Sequence, residues 1–114
     1  MVSTTGLPMA LLKAELFKSL GHPLRVQVLE QLAGGERSVG SLADALGSEL
    51  SNLSQQLGVL RRAGVVVTRR EGNTIYYGLR DPMVAELLSV AKRMLVATLE
   101  DSNALLRTIE QDVP

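Results

Sequence analysis

Leu53, Leu57 and Leu60 in "SNLSQQLGVLRRAG" (51–64) are spaced by four and then three residues, the interval that lines one buried helix face. The same period opens the chain. In "MALLKAELFKSL" (9–20), Met9, Leu12, Leu16, Phe17 and Leu20 form the stripe of an amphipathic helix. "GHP" at 21–23 breaks it, and Pro23 suits the first turn of a second helix over about 23–33, with Leu24, Val28, Leu29 and Leu32 inward. Gly34-Gly35 stops that helix. Ser38 is a good N-cap for a short third helix, "VGSLADAL", with Val39, Leu42, Ala43 and Leu46 inward. Gly47 permits a tight turn, Ser48 or Glu49 opens a fourth helix over 49–63, and Gly64 ends it.

After Gly64 the period changes. "VVVTRREGNTIYYGL" (65–79) is rich in β-branched and aromatic residues around Gly72-Asn73, two residues that tolerate positive φ at a hairpin tip. Asp81-Pro82 restarts a helix. From Val84 to about Ile109 a helical stripe continues through Leu87, Leu88, Ala91, Met94, Leu95, Leu105 and Leu106, which makes a helix roughly 40 Å long. The pattern predicts a mostly α chain with a small β-hairpin (α+β, αααα-ββ-α): a loose tail over 1–8 and one domain over 9–111. A short helix, a glycine turn, a helix with a polar face and then a hairpin is a winged helix-turn-helix order. The stripes of the terminal helices, 9–20 and 82–111, exceed what one small core can cover. The expectation is a homodimer closed by Leu12, Leu16, Leu88, Ala91 and Leu95.

The polar side of the fourth helix carries Ser51, Asn52, Ser54, Gln55 and Gln56, followed by Arg61 and Arg62. Carboxamides donate and accept side by side, which matches the N6/N7 edge of adenine, and serine pairs with almost any base edge or with phosphate. A recognition helix brings the residues near its N-terminus to the base edges of the major groove. Arg61 and Arg62 lie past the reading turns, at phosphate or at the protein's own acids. In the hairpin Arg69, Arg70 and Asn73 stand at the tip, where neighbouring residues point to opposite faces, so one arginine of the pair should face a duplex squarely. The plainer alternatives are a solvated helix face and edge-strand charge that discourages sheet-to-sheet association.

Charge changes the picture only when it is read locally. The formal net charge of the 114 residues is zero, which by itself argues against a nucleic-acid partner. Residues 51–80, however, hold five arginines against Glu71 alone, whereas 81–114 hold six acids against three bases; local charge decides where phosphates are tolerated. There is no cysteine, which excludes a disulfide framework, thiolate metal sites and a cysteine nucleophile. One histidine and no glycine-rich phosphate loop leave no nucleophile–base pair, so an enzyme is not expected. No run is apolar enough to span a bilayer, and "MVSTTGLPMA" lacks a secretory pattern. The expected location is cytoplasmic.

Four segments in order, "LFKSLGHPLRVQVLEQL" (16–32), "SVGSLADALG" (38–47), "SNLSQQLGVLRRAGVV" (51–66) and "RREGNTIYYGL" (69–79), resemble the ArsR/SmtB family of bacterial winged helix-turn-helix repressors. The resemblance implies a homodimer built from the first and last helices that binds an inverted-repeat operator. It places Ser51, Asn52, Ser54, Gln55 and Gln56 in the reading helix 49–63, and Arg69, Arg70 and Asn73 in the wing 65–79. Gly58 departs from the lysine common in relatives, and Gln55-Gln56 from frequent histidines. The family's metal sites do not carry over. Ser38 and Gly40 stand where one site has cysteines. Asp81, Met83, Met94 and Ala97 stand where the other has an aspartate and three histidines, and Asp81 suits a helix N-cap. No cofactor is assigned. His22 suits a cap, although a dimer presents it twice, and carboxylates such as Glu15, Glu30 or Glu86 joining it would make a weak nickel or zinc site of N/O ligands, which is left open. The expected partners are double-stranded DNA and a second copy. Sensing then falls to another ligand, to such a weak metal site or to a co-regulator protein. The competing reading is a protein-interaction module that binds DNA only with a partner.

Overall fold

The computed structural model describes residues 8–112, and the tail expected over 1–8 lies, but for Pro8, outside the described residues. The elements are α1 (Met9–Leu20), α2 (Pro23–Leu32), β1 (Arg37–Ser38), α3 (Val39–Leu46), α4 (Leu50–Arg62), β2 (Val66–Glu71), β3 (Thr74–Leu79) and α5 (Met83–Asp112). The chain divides into two compact units between Val84 and Ala85.

In the first unit, α2, α3 and α4 bring their apolar stripes together. Val28, Leu29, Leu42, Leu53, Leu57 and Leu60 are fully buried, with Leu20, Leu32, Val65 and Val66 close to it. The sites where each helix stops and starts are set by local chemistry. His22 caps α2: its Nδ1 accepts from the Leu24 N–H at 3.1 Å, with Pro23 following at the first helical position. This cap gives a direct check. His22→Ala should cost about 1 kcal/mol and His22→Asn most of a unit less, read as denaturant midpoints at fixed protein concentration; equal midpoints for all three proteins would remove the cap from the account.

Ser38 accepts from the Ser41 N–H at 3.2 Å and opens α3. Gly47 takes φ +59° after α3, and its N–H bonds the Ala43 carbonyl, a left-handed turn that a side chain would strain. Glu49, in extended conformation and without a side-chain cap bond, precedes α4. At the other end the Val65 N–H reaches the Leu60 carbonyl and the Gly64 N–H reaches that of Arg61, each at 3.0 Å. With Gly64 at φ +76°, this is a Schellman stop that turns the chain directly into the wing.

The wing is larger than the sequence pattern suggests. Two-residue β1 pairs antiparallel with β3 (Arg37↔Tyr77, Ser38↔Tyr76), giving a three-stranded sheet in the order β1-β3-β2. The hairpin β2–β3 runs from Val66↔Leu79 to Glu71↔Thr74. Its tip also differs from the expectation. Gly72 has φ +62°, but no non-glycine residue among those described has positive φ, so Asn73 does not share the left-handed role. Positive φ at the first turn residue alone is the II′ pattern, not I′.

Asp81 Oδ1 accepts from the Met83 N–H at 2.8 Å and begins α5, the N-cap role suggested by its position. The helix has 30 residues, which makes it roughly 45 Å long. Within it Met94, Leu95 and Leu99 are 66, 65 and 63% exposed in the single chain. Ala91 is also exposed, and Leu88 is half-buried. On α1, Leu12 and Leu16 are exposed as well. No helix among the described residues is long and apolar enough to cross a membrane.

Candidate nucleic-acid interface

Helix α4 is held by one face and open on the other. Leu53, Leu57 and Leu60 are fully buried, while Ser51, Asn52, Ser54 and Gln55 in its first turns are exposed. A rigid inward stripe therefore fixes the direction in which these four polar side chains project. They offer hydroxyl and carboxamide groups, the chemistry that reads base edges.

Gln56 does not belong to that exposed set. It is 8% exposed. Its Oε1 accepts from Arg25 Nη1 at 2.9 Å, and its Nε2 donates to Asn52 Oδ1 at 3.4 Å. The reason is helical geometry. Position 56 is three residues past Leu53 and four before Leu60, so it lies on the buried stripe. Arg25, which the sequence reading did not single out, is the counterpart on the inward side of α2, and its Nε also donates to the Ser19 carbonyl at 2.8 Å. A signal was present: both residues are polar groups at inward positions of helical stripes, and buried polar groups are paired. Among the described residues no buried side-chain nitrogen or oxygen lacks a partner.

Arg61 and Arg62 are exposed in the last turn of α4. Arg62 folds back over Gly58: a Cβ added there would lie 3.1 Å from Arg62 Nη1, the mobile end of the side chain. Gly58→Ala should therefore displace only that end. It should stabilise the protein by about 1 kcal/mol, or about 4–8 °C in Tm. A thermal melt that moves downward would show that the Arg62 placement outweighs helix propensity.

The two wing arginines differ in kind. Arg69 pairs with Glu36 at 3.0 Å and Glu71 at 2.8 Å, and its guanidinium lies 4.8 Å from the centre of the Tyr76 ring. These contacts raise its pKa above the ordinary arginine value, the Glu71 hydrogen bond contributing first and that of Glu36 second. Arg69 is thus not the free cation suggested by the sequence. Arg70 points to the other face and has no acidic partner among the described residues; its Nε donates to the Gly72 carbonyl at 3.2 Å at the tip. Asn73 is exposed beside it, and Tyr76 and Tyr77 are both half-buried. Gly78 lets the Glu36 side chain cross the sheet, since a Cβ there would meet Glu36 Cγ at 3.3 Å.

Among the described residues, no three His, Cys, Asp or Glu side chains come together as a metal site. His22 and Asp81 are both engaged as helix caps.

A helix-turn-helix presenting a polar face, followed directly by a hairpin with a cationic tip, defines a winged-helix protein. The comparisons with known proteins agree. Residues 20–69 match the helix-turn-helix domain family. The uncharacterized HTH-type transcriptional regulator Rv0081 of Mycobacterium tuberculosis is 52% identical over 103 residues, 90% of each chain. Its crystal structure superposes with a TM-score of 0.77 at 54% identity, covering 84% of this chain and 97% of that one. The biofilm growth-associated repressor of Agrobacterium fabrum is 44% identical over 77% of this chain and 75% of its own. The homodimeric winged helix-turn-helix DNA-binding domain of Mb0332 from Mycobacterium bovis, solved by NMR, matches with a TM-score of 0.74 at 32% identity over 86% of this chain and 95% of that one. The chain belongs to the ArsR/SmtB family of winged helix-turn-helix transcriptional regulators. It is a regulator of the DNA-binding kind and not an enzyme.

Proposed function

We propose that the protein is a bacterial repressor, acting in the cytoplasm as a homodimer, that reads an inverted-repeat operator. The observation that carries this reading is the exposed quartet Ser51, Asn52, Ser54 and Gln55 on a helix whose opposite face is fully buried. In this reading α4 enters the major groove. Arg61 and Arg62 meet phosphates, and Arg70 and Asn73 of the wing approach the flanking backbone. Dimerisation runs through the 9–20 and 82–111 helices, with Leu12, Leu16, Leu88, Ala91 and Leu95 in the interface. The two-fold axis then sets two half-sites about one helical turn, or a multiple of it, apart. Ser38, Gly40, Met83, Met94 and Ala97 replace ligands of the family's metal sites, so the signal is assigned to another small molecule, to a weak N/O metal site or to a co-regulator.

The test is a fluorescence-anisotropy titration of the protein against DNA from upstream of its own gene and against random duplex. A cognate inverted repeat should bind at least about 10³-fold more tightly than random DNA. Equal binding to both would end the operator reading. One second reading has an observation in its favour: Arg69 is paired with Glu36 and Glu71, which weakens phosphate attraction by the wing, as expected of a winged helix that binds DNA only beside a partner protein. That reading requires the protein to bind neither duplex alone.

A further inference from the structure

The polarity of one hydrogen-bonded chain decides what Asn52 can offer a base. Arg25 has donors only. Its Nε holds the Ser19 carbonyl at 2.8 Å, its Nη2 the Lys18 carbonyl at 3.4 Å, and its Nη1 donates to Gln56 Oε1 at 2.9 Å. A guanidinium cannot accept, so the carboxamide of Gln56 has to turn its oxygen toward Arg25 and its NH2 away. The flipped amide would set donor against donor at a residue only 8% exposed, leaving buried groups unpaired, which is costly. The outward-turned Nε2 then donates to Asn52 Oδ1 at 3.4 Å, one helical turn earlier. The Asn52 oxygen is thereby drawn toward the helix body, and the Nδ2 hydrogens form the edge left to the exterior.

We propose that Gln56, oriented by Arg25, is a specificity-setting positioning residue that fixes the carboxamide of Asn52 with its donor edge outward. Asn52 then favours guanine, whose O6 and N7 both accept, or thymine through O4, over adenine, which sets its one acceptor, N7, beside the N6 donor. The bidentate adenine pair needs donor and acceptor presented together, and here the acceptor is turned toward Gln56. The inference rests on the reading of α4 as the helix that enters the major groove. It adds to that reading a prediction for one base pair in each half-site.

Gln56→Glu isolates the effect. A carboxylate still accepts from Arg25, so the tie to α2 and the end of α1 survives. It has no hydrogen to give Asn52 and instead attracts Nδ2, which turns Oδ1 outward and makes the outer edge an acceptor. Selection from randomised inverted-repeat duplexes should give the wild type a keto base at one position per half-site. The variant should favour an amino base there, adenine or cytosine, by roughly five- to tenfold, the effect of one hydrogen bond, with the other positions unchanged. A wild type that enriches no motif defeats the operator reading itself. A wild type that enriches a motif shared at every position by Gln56→Glu defeats this inference alone. Should Gln56→Glu fail to fold, the wild type still decides. Its Gln56 side-chain amide protons should exchange slowly by NMR while those of Asn52 exchange fast, and fast exchange at Gln56 would overturn the proposal.

Discussion

Leu95→Glu should give a folded monomer that has lost operator binding. Leu95 is 65% exposed in the single chain and lies beyond Val84, outside the unit that contains α4 and the wing. A charge there removes no core contact from the helix-turn-helix, so the circular dichroism spectrum should remain that of the wild type. In the proposed dimer, two-fold symmetry places the substitution on both sides of an isologous interface, and each carboxylate would have to be buried without a partner. Analytical ultracentrifugation should find half the wild-type mass at micromolar concentration. The DNA consequence is larger than the loss of contacts on α5. Two linked reading helices bind an inverted repeat with a high effective concentration for the second half-site, worth about 10²–10⁴ in affinity, and this factor disappears when the halves bind independently. A wild type that sediments as a stable, folded monomer would remove the dimer from the account.

Much of this architecture could be read from the chain because its signals are local. The four–three spacing of Leu53, Leu57 and Leu60 marks a helix face whatever lies against it, and all three are fully buried. Ser38, Gly47, Gly64 and Asp81 act on backbone groups within five residues of themselves, and each stands at the helix boundary that its chemistry suggests. Apart from the turn type at Gly72-Asn73, which is local, the misses are tertiary. Strand β1 has two residues, too few for any period to appear, and exists because β3 has a free edge. Gln56 looked like a reader because it is polar, although its helical position is inward and its partner is 31 residues away. Arg69 looked free because Glu36, 33 residues earlier, reaches it only across the sheet. In each case the sequence shows the group, and only the fold supplies the partner that occupies it.

Gln55→Ala and Arg70→Ala should fail in different ways, and the difference separates base reading from phosphate attraction. Gln55 is exposed, and among the described residues its carboxamide has no hydrogen-bond partner, in contrast to Asn52 and Gln56. It is therefore the side chain on α4 free to donate and accept together, and so to pair bidentately with adenine. Each such pair is worth about 1–3 kcal/mol of discrimination, and a dimer makes two. Gln55→Ala should accordingly weaken the cognate repeat by about 2–6 kcal/mol in all, barely change random duplex and leave the salt slope as it was. Arg70 is the wing cation without an acidic partner among the described residues. Its loss should weaken both duplexes alike and reduce the salt slope by about one unit for each phosphate contact removed. Arg69 needs the opposite manipulation, since truncating it would leave Glu36 and Glu71 unpaired beside the backbone. Glu71→Gln instead weakens the hold on its guanidinium, and should strengthen binding to both duplexes and steepen the slope. Titrations of all three variants on both duplexes at several salt concentrations provide the check. If Gln55→Ala and Arg70→Ala shift cognate and random DNA by the same factor, α4 does not read sequence, and if Glu71→Gln changes nothing, the wing lies away from the phosphates.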